Sequence, residues 1–245
     1  MAVEWRDEGL LLAARRHGEG AAILDILTAE HGRHAGVAPG GGSRRMAPVL
    51  QPGAQLQVEW RARLEEHMGA WRVDPIRSRA AALMGDRRAL AAMGALSALC
   101  LAFLPEREPL PDLYARTLAL VDALGRDAAW PALYALWEVE LLGELGYGLD
   151  LSECAATGGN DALVWVSPRS GRAVSASAGE PYAGRLLPLP GFWLGEPWTE
   201  RQIADSLRTT GFFLGRRAAP AVGREDAPEA RARLVRLFPA ADRGA

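Results

Sequence analysis

Not one lysine occurs among the 245 residues, so all 28 basic side chains are arginine. That absence removes whole classes of chemistry: a phosphate loop of the G-x-x-x-x-G-K-[ST] type, a Schiff-base lysine and a kinase-type ATP lysine are all impossible. Cysteine is nearly absent too. Cys100 and Cys154 are too few for a disulfide framework, which fits a reducing compartment. No apolar run approaches the roughly eighteen residues of a membrane span. Residues 1–8 lack the basic start and apolar stretch of a secretory signal. A soluble, cytoplasmic protein that does not engage membranes is therefore expected. There is no G-x-S-x-G elbow and no Cys/His pairing that would make a nucleophile, so a non-enzymatic protein without a cofactor is expected.

The charge that is there is unevenly spread about a formal net of −2. Residues 1–80 carry 11 arginines against 10 acids and hold all four histidines. Residues 81–150 carry 5 against 10, and residues 151–245 carry 12 against 10. Two weakly basic ends thus flank an acidic middle. This agrees with nucleic-acid binding but lacks the bulk positive excess of a strong binder.

The first 80 residues read as strands. Gly9–Ala14 and Ala21–Thr28 are apolar runs joined by a polar turn, and His31-Gly32 leads into a third strand, Arg33–Ala38. Pro39-Gly40-Gly41-Gly42 ends it, and Ser43 is placed to cap a short helix reaching Leu50. Leu56, Val58 and Trp60 then alternate with polar residues along Ala54–Arg63, and a fifth strand runs from Gly69 to about Arg79. Three strands, a helix and two strands is the order of an OB-fold, a five-stranded barrel that often binds oligonucleotides. From Ala80 the period turns helical. Helices are expected at Ala80–Phe103, Leu110–Leu124 and Trp130–Leu145, with their acids solvated. Within about 151–180, Ala162–Val166 and Ala173–Ser175 form a hairpin around the turn Ser167–Arg172. Helices return at Thr199–Leu214 and Ala227–Phe238, with a loop at Arg216–Asp226. The expected fold class is α+β, with an OB barrel over 1–80 and a helical domain over 81–245 that carries the hairpin as an insert.

Few motifs carry chemistry. The glycines before Ser43-Arg44-Arg45 lack the spacing of any nucleotide fingerprint, so a loop offering two arginines to a nucleic-acid backbone is the better reading, a solvent loop the plainer one. His17, His31, His34 and His67 have no cysteine or acidic cluster to complete a zinc set, and turn or surface positions are expected for them. Glu65-Glu66-His67 reads as a charged hairpin tip. Trp60, flanked by Arg61 and Arg63, either stacks bases in a single-strand groove or fills the core.

Larger pieces carry a resemblance. Glu4-Trp5-Arg6-Asp7-Glu8-Gly9, Arg16-His17-Gly18-Glu19, His31-Gly32-Arg33, Leu50-Gln51-Pro52-Gly53 and Trp60-Arg61-Ala62-Arg63-Leu64 occur in that order. So do Leu145-Gly146-Tyr147-Gly148, Ser167-Pro168-Arg169-Ser170-Gly171-Arg172 and Leu207-Arg208-Thr209-Thr210-Gly211-Phe212-Phe213-Leu214. Together they resemble the bacterial RecO proteins from end to end. The resemblance implies an OB-fold, a helical body and a zinc-ribbon-like insert. It implies binding of single- and double-stranded DNA, strand annealing, and partnership with RecR and with the C-terminal tail of single-stranded-DNA-binding protein during RecA loading. Two departures stand out. The insert's zinc positions correspond to Cys154, Thr157, Ser175 and Ala178, so no bound metal is expected. The loop after strand three is neutral from Pro39 to Gly42. Arg33, Arg44, Arg45, Trp60, Arg61 and Arg63 on the barrel, with Arg169 and Arg172 on the insert, are the DNA-contact candidates. The alternative is a protein-interaction adaptor, led by the acidic helices, that binds no DNA.

Overall fold

A computed structural model of the chain describes residues 3–64 and 66–238. The chain divides into two compact units, Met1–Asp127 and Ala128–Ala245.

Five strands close the barrel of the first unit in the order β1-β2-β3-β5-β4. They are β1 (Val3–His17), β2 (Ala21–Thr28), β3 (Gly32–Ala38), β4 (Gln55–Ala62) and β5 (Gly69–Arg77). All pairings are antiparallel except a short parallel contact of β3 with β5, which sets Gly36 beside Gly69. This is the OB topology expected from the order of elements. Strand β1 is much longer than its apolar run. It pairs with β4 from Val3 to Leu10 and with β2 from Gly9 to His17, so one bent strand closes the barrel. Its first half has no apolar run because Glu4, Arg6 and Glu8 face solvent. The inward position after Trp5 is a carboxylate, Asp7, which pairs with His31.

The helix expected from Ser43 to Leu50 is instead a set of linked turns, with Met46 and Ala47 donating to the Ser43 carbonyl and Val49 and Leu50 to that of Met46. Pro48 is the cause: it has no N–H for the Arg44 carbonyl and disfavours helical geometry at Ala47. Met46, Val49 and Leu50 still cover the core of Leu11, Leu24, Ile26, Leu56, Val58, Trp60 and Trp71, as a helix would. Both tryptophans lie over the β3–β5 seam. A Cβ on Gly36 would sit 2.7 Å from the Trp71 ring, and one on Gly69 would collide with Trp60. The indole N–H of Trp60 donates to the Ala35 carbonyl and that of Trp71 to the Leu24 carbonyl.

Two helices, α1 (Ala80–Gly85) and α2 (Arg87–Phe103), replace the single one expected. Between them Asp86 is extended, and its carboxylate accepts from the N–H groups of Arg88 and Ala89 at 2.8 and 3.2 Å, an N-cap that starts a new helix. Helix α3 (Pro111–Ala123) completes the unit. Buried Arg79 ties it to the barrel by donating to Asp122, to the Gly53 carbonyl and to Gln55.

The second unit opens with α4 (Trp130–Glu144) and a sheet ordered β7-β6-β8, formed by β6 (Leu163–Val166), β7 (Ala173–Ser175) and β8 (Leu187–Pro188). Strands β6 and β7 are the expected hairpin; β8 is too short to show in the apolar pattern. After the single turn α5 (Ala176–Gly179), helix α6 (Glu200–Phe213) starts at a capping box of Thr199 and Gln202. Where a loop was expected from Arg216, the helix runs on through a π turn at Leu214–Ala218 and α7 (Ala219–Ala221), and α8 (Glu229–Val235) follows. Among the described residues no helix is long and apolar enough to cross a membrane.

Glu138, expected in solvent, is fully buried and joins three helices. Arg231 of α8 donates to it from Nε at 2.8 Å and from Nη2 at 2.7 Å, and Thr210 of α6 donates its hydroxyl. The same Nη2 reaches the Leu207 carbonyl at 2.7 Å. Burial alone would lower the Arg231 pKa, but the charge and hydrogen bonds of Glu138 outweigh it and hold the pKa above its ordinary value. Replacing Glu138 by Ala leaves a buried cation unpaired and should destabilise this unit by about 3–5 kcal/mol. Glu138→Leu combined with Arg231→Met should cost far less; urea unfolding of both variants provides the check.

Candidate nucleic-acid interface

The glycine loop after β3 lies between two clefts. One, of about 500 Å³, is lined by Arg15, Arg16, Gly42, Arg44 and Gln51. The other, of about 440 Å³, is lined by Pro39, Gly40, Arg45, Trp71 and Arg72. Gly41 and Ser43 border both. The loop is held against the β1–β2 turn by the Gly42 N–H, which donates to the Gly20 carbonyl at 3.2 Å. Arg16, Arg44, Arg45 and Arg72 are exposed, and no carboxylate among the described residues pairs with them. Arg15 shares the first cleft but is paired with Asp25 at 3.0 Å. Unpaired guanidiniums present planar forks of N–H donors that match phosphate oxygens.

The structure separates the expected contact residues. Arg44 and Arg45 are exposed on the turns that follow the glycines. Arg63 is exposed beyond β4 with no carboxylate partner among the described residues. Arg33 is only 12% exposed and bonds to Glu106, Asp25 and the Leu104 carbonyl, so it is a tie within the unit and not a free contact. Arg61 is exposed but lies 2.9 Å from Glu4 and 2.7 Å from Glu59, which together cancel its charge. Trp60 is 0% exposed and belongs to the core, with no face open to a base. On the insert of the second unit, Arg169 is exposed, while Arg172 is held by Asp150 at 3.2 Å and Glu153 at 2.6 Å.

Sequence reasoning missed Arg16 and Arg72. Both had a signal: Arg72 follows inward-facing Trp71 and must point out, and Arg16 lies at the end of β1 beside the first loop of an OB barrel, a usual ligand-binding loop. Of the histidines, His17 and His67 are exposed and His31 lies in a turn, as expected, but His34 was misjudged. His31 stacks flat on Trp5 with ring centroids 3.8 Å apart, and His34 is buried edge-on to Trp5 and Trp60. The long first half of β1, which carries Trp5 into the barrel, is what covers them. His34 Nδ1 has no hydrogen-bond partner among the described residues. Burial, reinforced by the charges of Arg107 and His31, lowers its pKa to about 4.

Residues 1–79 match the family described as recombination protein O N terminal, and residues 84–224 match recombination protein O C terminal. The chain belongs to the RecO family. It is 54% identical over 237 residues to the DNA repair protein RecO of Roseobacter denitrificans, which covers 96% of this chain and 98% of the relative. The protein of the same name from Cereibacter sphaeroides is 53% identical with the same coverage. A role in DNA repair and recombination follows from this membership.

The insert of this RecO-family chain does not fit the zinc that the resemblance associates with the fold. Cys154 Sγ meets Ser175, from the amide at 3.3 Å and the hydroxyl at 3.5 Å, and Ala178 brings no donor atom. Hydrogen bonds from Ser175 and Thr157 hold the Cys154 thiol down at about 6. One sulfur among hydroxyls is not a structural zinc set, which needs about four nitrogen or sulfur ligands. Elemental analysis of the purified, dialysed protein should find no stoichiometric zinc; one zinc per chain would contradict this.

Acid should weaken the barrel through His34. Its folded pKa of about 4 lies below the ordinary 6.5, so the unfolded chain takes up the proton first. The stability gained from a neutral His34 is complete above about 6.5 and is lost as the pH falls through about 4. His34→Leu should therefore flatten the unfolding free energy between those limits. A pH slope identical to the unmodified protein's would exclude His34 as the cause.

Proposed function

We propose that this RecO-family chain binds single-stranded DNA across the glycine loop of its barrel and acts as a recombination mediator with no turnover chemistry of its own. One observation carries the reading. On an OB barrel whose other surface arginines are largely paired with carboxylates, Arg16, Arg44, Arg45 and Arg72 flank one loop with no carboxylate partner among the described residues. Such an array grips phosphates and reads no bases, so double-stranded DNA is a ligand as well. Neutralising two backbones lets complementary strands approach, and base pairing supplies the selectivity. Annealing follows from this, as does assistance, with RecR, to RecA loading on strands coated by single-stranded-DNA-binding protein, whose C-terminal tail is a further partner. The protein works in the cytoplasm, at the nucleoid during repair. The missing lysine supports a mediator that hydrolyses no nucleotide.

Electrostatic binding has a measurable signature. The logarithm of affinity for single-stranded DNA should fall with the logarithm of salt by about 0.7 per neutralised phosphate. Arg44→Ala with Arg45→Ala should weaken binding to all DNA sequences alike and make that slope shallower, with the fold intact. Arg61→Ala should change neither, because its charge is already cancelled. Fluorescence anisotropy across a salt series is the test. Affinity that ignores salt, or full affinity in the double variant, would refute the reading.

A further inference from the structure

The turn of the insert carries two arginines with opposite surroundings. Arg172 is a strut. Its guanidinium bridges Asp150 and Glu153, while the Asp150 backbone pairs with Gly171 at 3.1 Å and Ala173 at 2.8 Å. Arg169 is exposed and meets no carboxylate among the described residues. A second cation is anchored to the backbone of the same turn. Arg217 Nη2 donates to the Arg169 carbonyl at 3.0 Å and reaches the Pro168 carbonyl at 3.5 Å.

Arg217 comes from the π turn Leu214–Ala218. Such a turn inserts a residue into a helix and rotates the residues beyond it, and it occurs often at functional sites. Here it carries an exposed guanidinium onto a turn that already holds one, and Arg217 too lacks a carboxylate partner among the described residues. The hairpin is seated beside this helix: a Cβ on Gly171 would lie 3.4 Å from Leu149 and 3.9 Å from Phe213. Two neighbouring cations repel unless an anion lies between or across them. The planar donor forks of arginine fit the oxygens of a phosphodiester.

We propose that Arg169 and Arg217 form a second phosphate-binding site for a second DNA strand, so that one chain can hold two strands at once. Arg172 braces the turn and touches no DNA. The inference rests on the reading that the barrel holds the first strand. It turns that reading into a mechanism, since annealing needs two strands on one protein.

The test is capture of a second strand. Protein saturated with unlabelled oligo-dT is titrated with fluorescent oligo-dT, so that base pairing cannot contribute. The unmodified protein should take up the second strand. Arg169→Glu and Arg217→Gln should each weaken that step by roughly tenfold while first-strand affinity stays within about twofold. Arg169→Lys should restore it. The Arg169 side chain has no partner to lose among the described residues, and Gln at 217 keeps an N–H donor for the two carbonyls, so neither change removes the fold. Equal second-strand affinity in Arg169→Glu, Arg169→Lys and the unmodified protein would overturn the proposal, as would failure of the unmodified protein to bind a second strand. Binding of an acidic peptide at this site that DNA does not displace would overturn it as well. Failure of the barrel reading looks different: Arg44→Ala with Arg45→Ala would then leave first-strand binding intact, while the Arg169 comparison keeps its meaning.

Discussion

Each unit contains a carboxylate shielded from solvent, Asp25 in the first and Glu138 in the second, and each is met by an arginine, because an uncompensated buried charge costs several kcal/mol. In the first unit Asp25, 4% exposed, draws in Arg15 and Arg33, and Arg33 goes on to fasten residues 104–106 to β3. Asp122 takes Arg77 and Arg79, joining α3 to the barrel. In the second unit Glu138 takes Arg231, and three helices meet on that pair. Much of the arrangement of helices around strands follows from where these acids sit.

The same pairing sorts structure from function. With no lysine in the chain, one residue type must both brace the fold and, in the proposed function, meet the DNA. Arginines near a carboxylate are used up: Arg33, Arg61 and Arg172 are neutralised where they stand. Of those without a carboxylate partner among the described residues, Arg16, Arg44, Arg45 and Arg72 flank the glycine loop of the barrel and, separately, Arg169 and Arg217 lie at the turn of the insert. A formal net charge of −2 is therefore no obstacle to the proposed function, in which phosphates would meet local groups of cations and not the average charge of the chain.

The barrel was legible in the sequence because its strands alternate or run apolar and its turns are marked by glycine and proline. Three features were hidden for physical reasons. Asp7 interrupts the alternation that would have extended β1, so the stacking of His31 on Trp5 and the burial of His34 behind it left no trace in the pattern. Pro48 breaks a helix that Ser43 was placed to start. Glu138 looks like any other acid on a helix, and only its partner 93 residues away shows that it is buried. The candidate site was half legible. Arg44 and Arg45 follow from the glycines before them, but proximity along the chain could not tell them from Arg61, whose neutralising Glu4 lies 57 residues distant on β1. Partnership across a sheet is set by register, which neighbours along the chain do not reveal.

Since every side-chain cation but histidine is arginine, one arginine-selective reagent can read the whole basic surface in one experiment. Phenylglyoxal modification with and without saturating single-stranded DNA, followed by peptide mass spectrometry, tests the account most directly. The account predicts strong protection of Arg16, Arg44, Arg45 and Arg72 and unchanged reactivity of exposed but neutralised Arg61. If the four arginines beside the glycine loop stay as reactive with DNA bound as without it, the barrel does not hold the strand and the account is wrong.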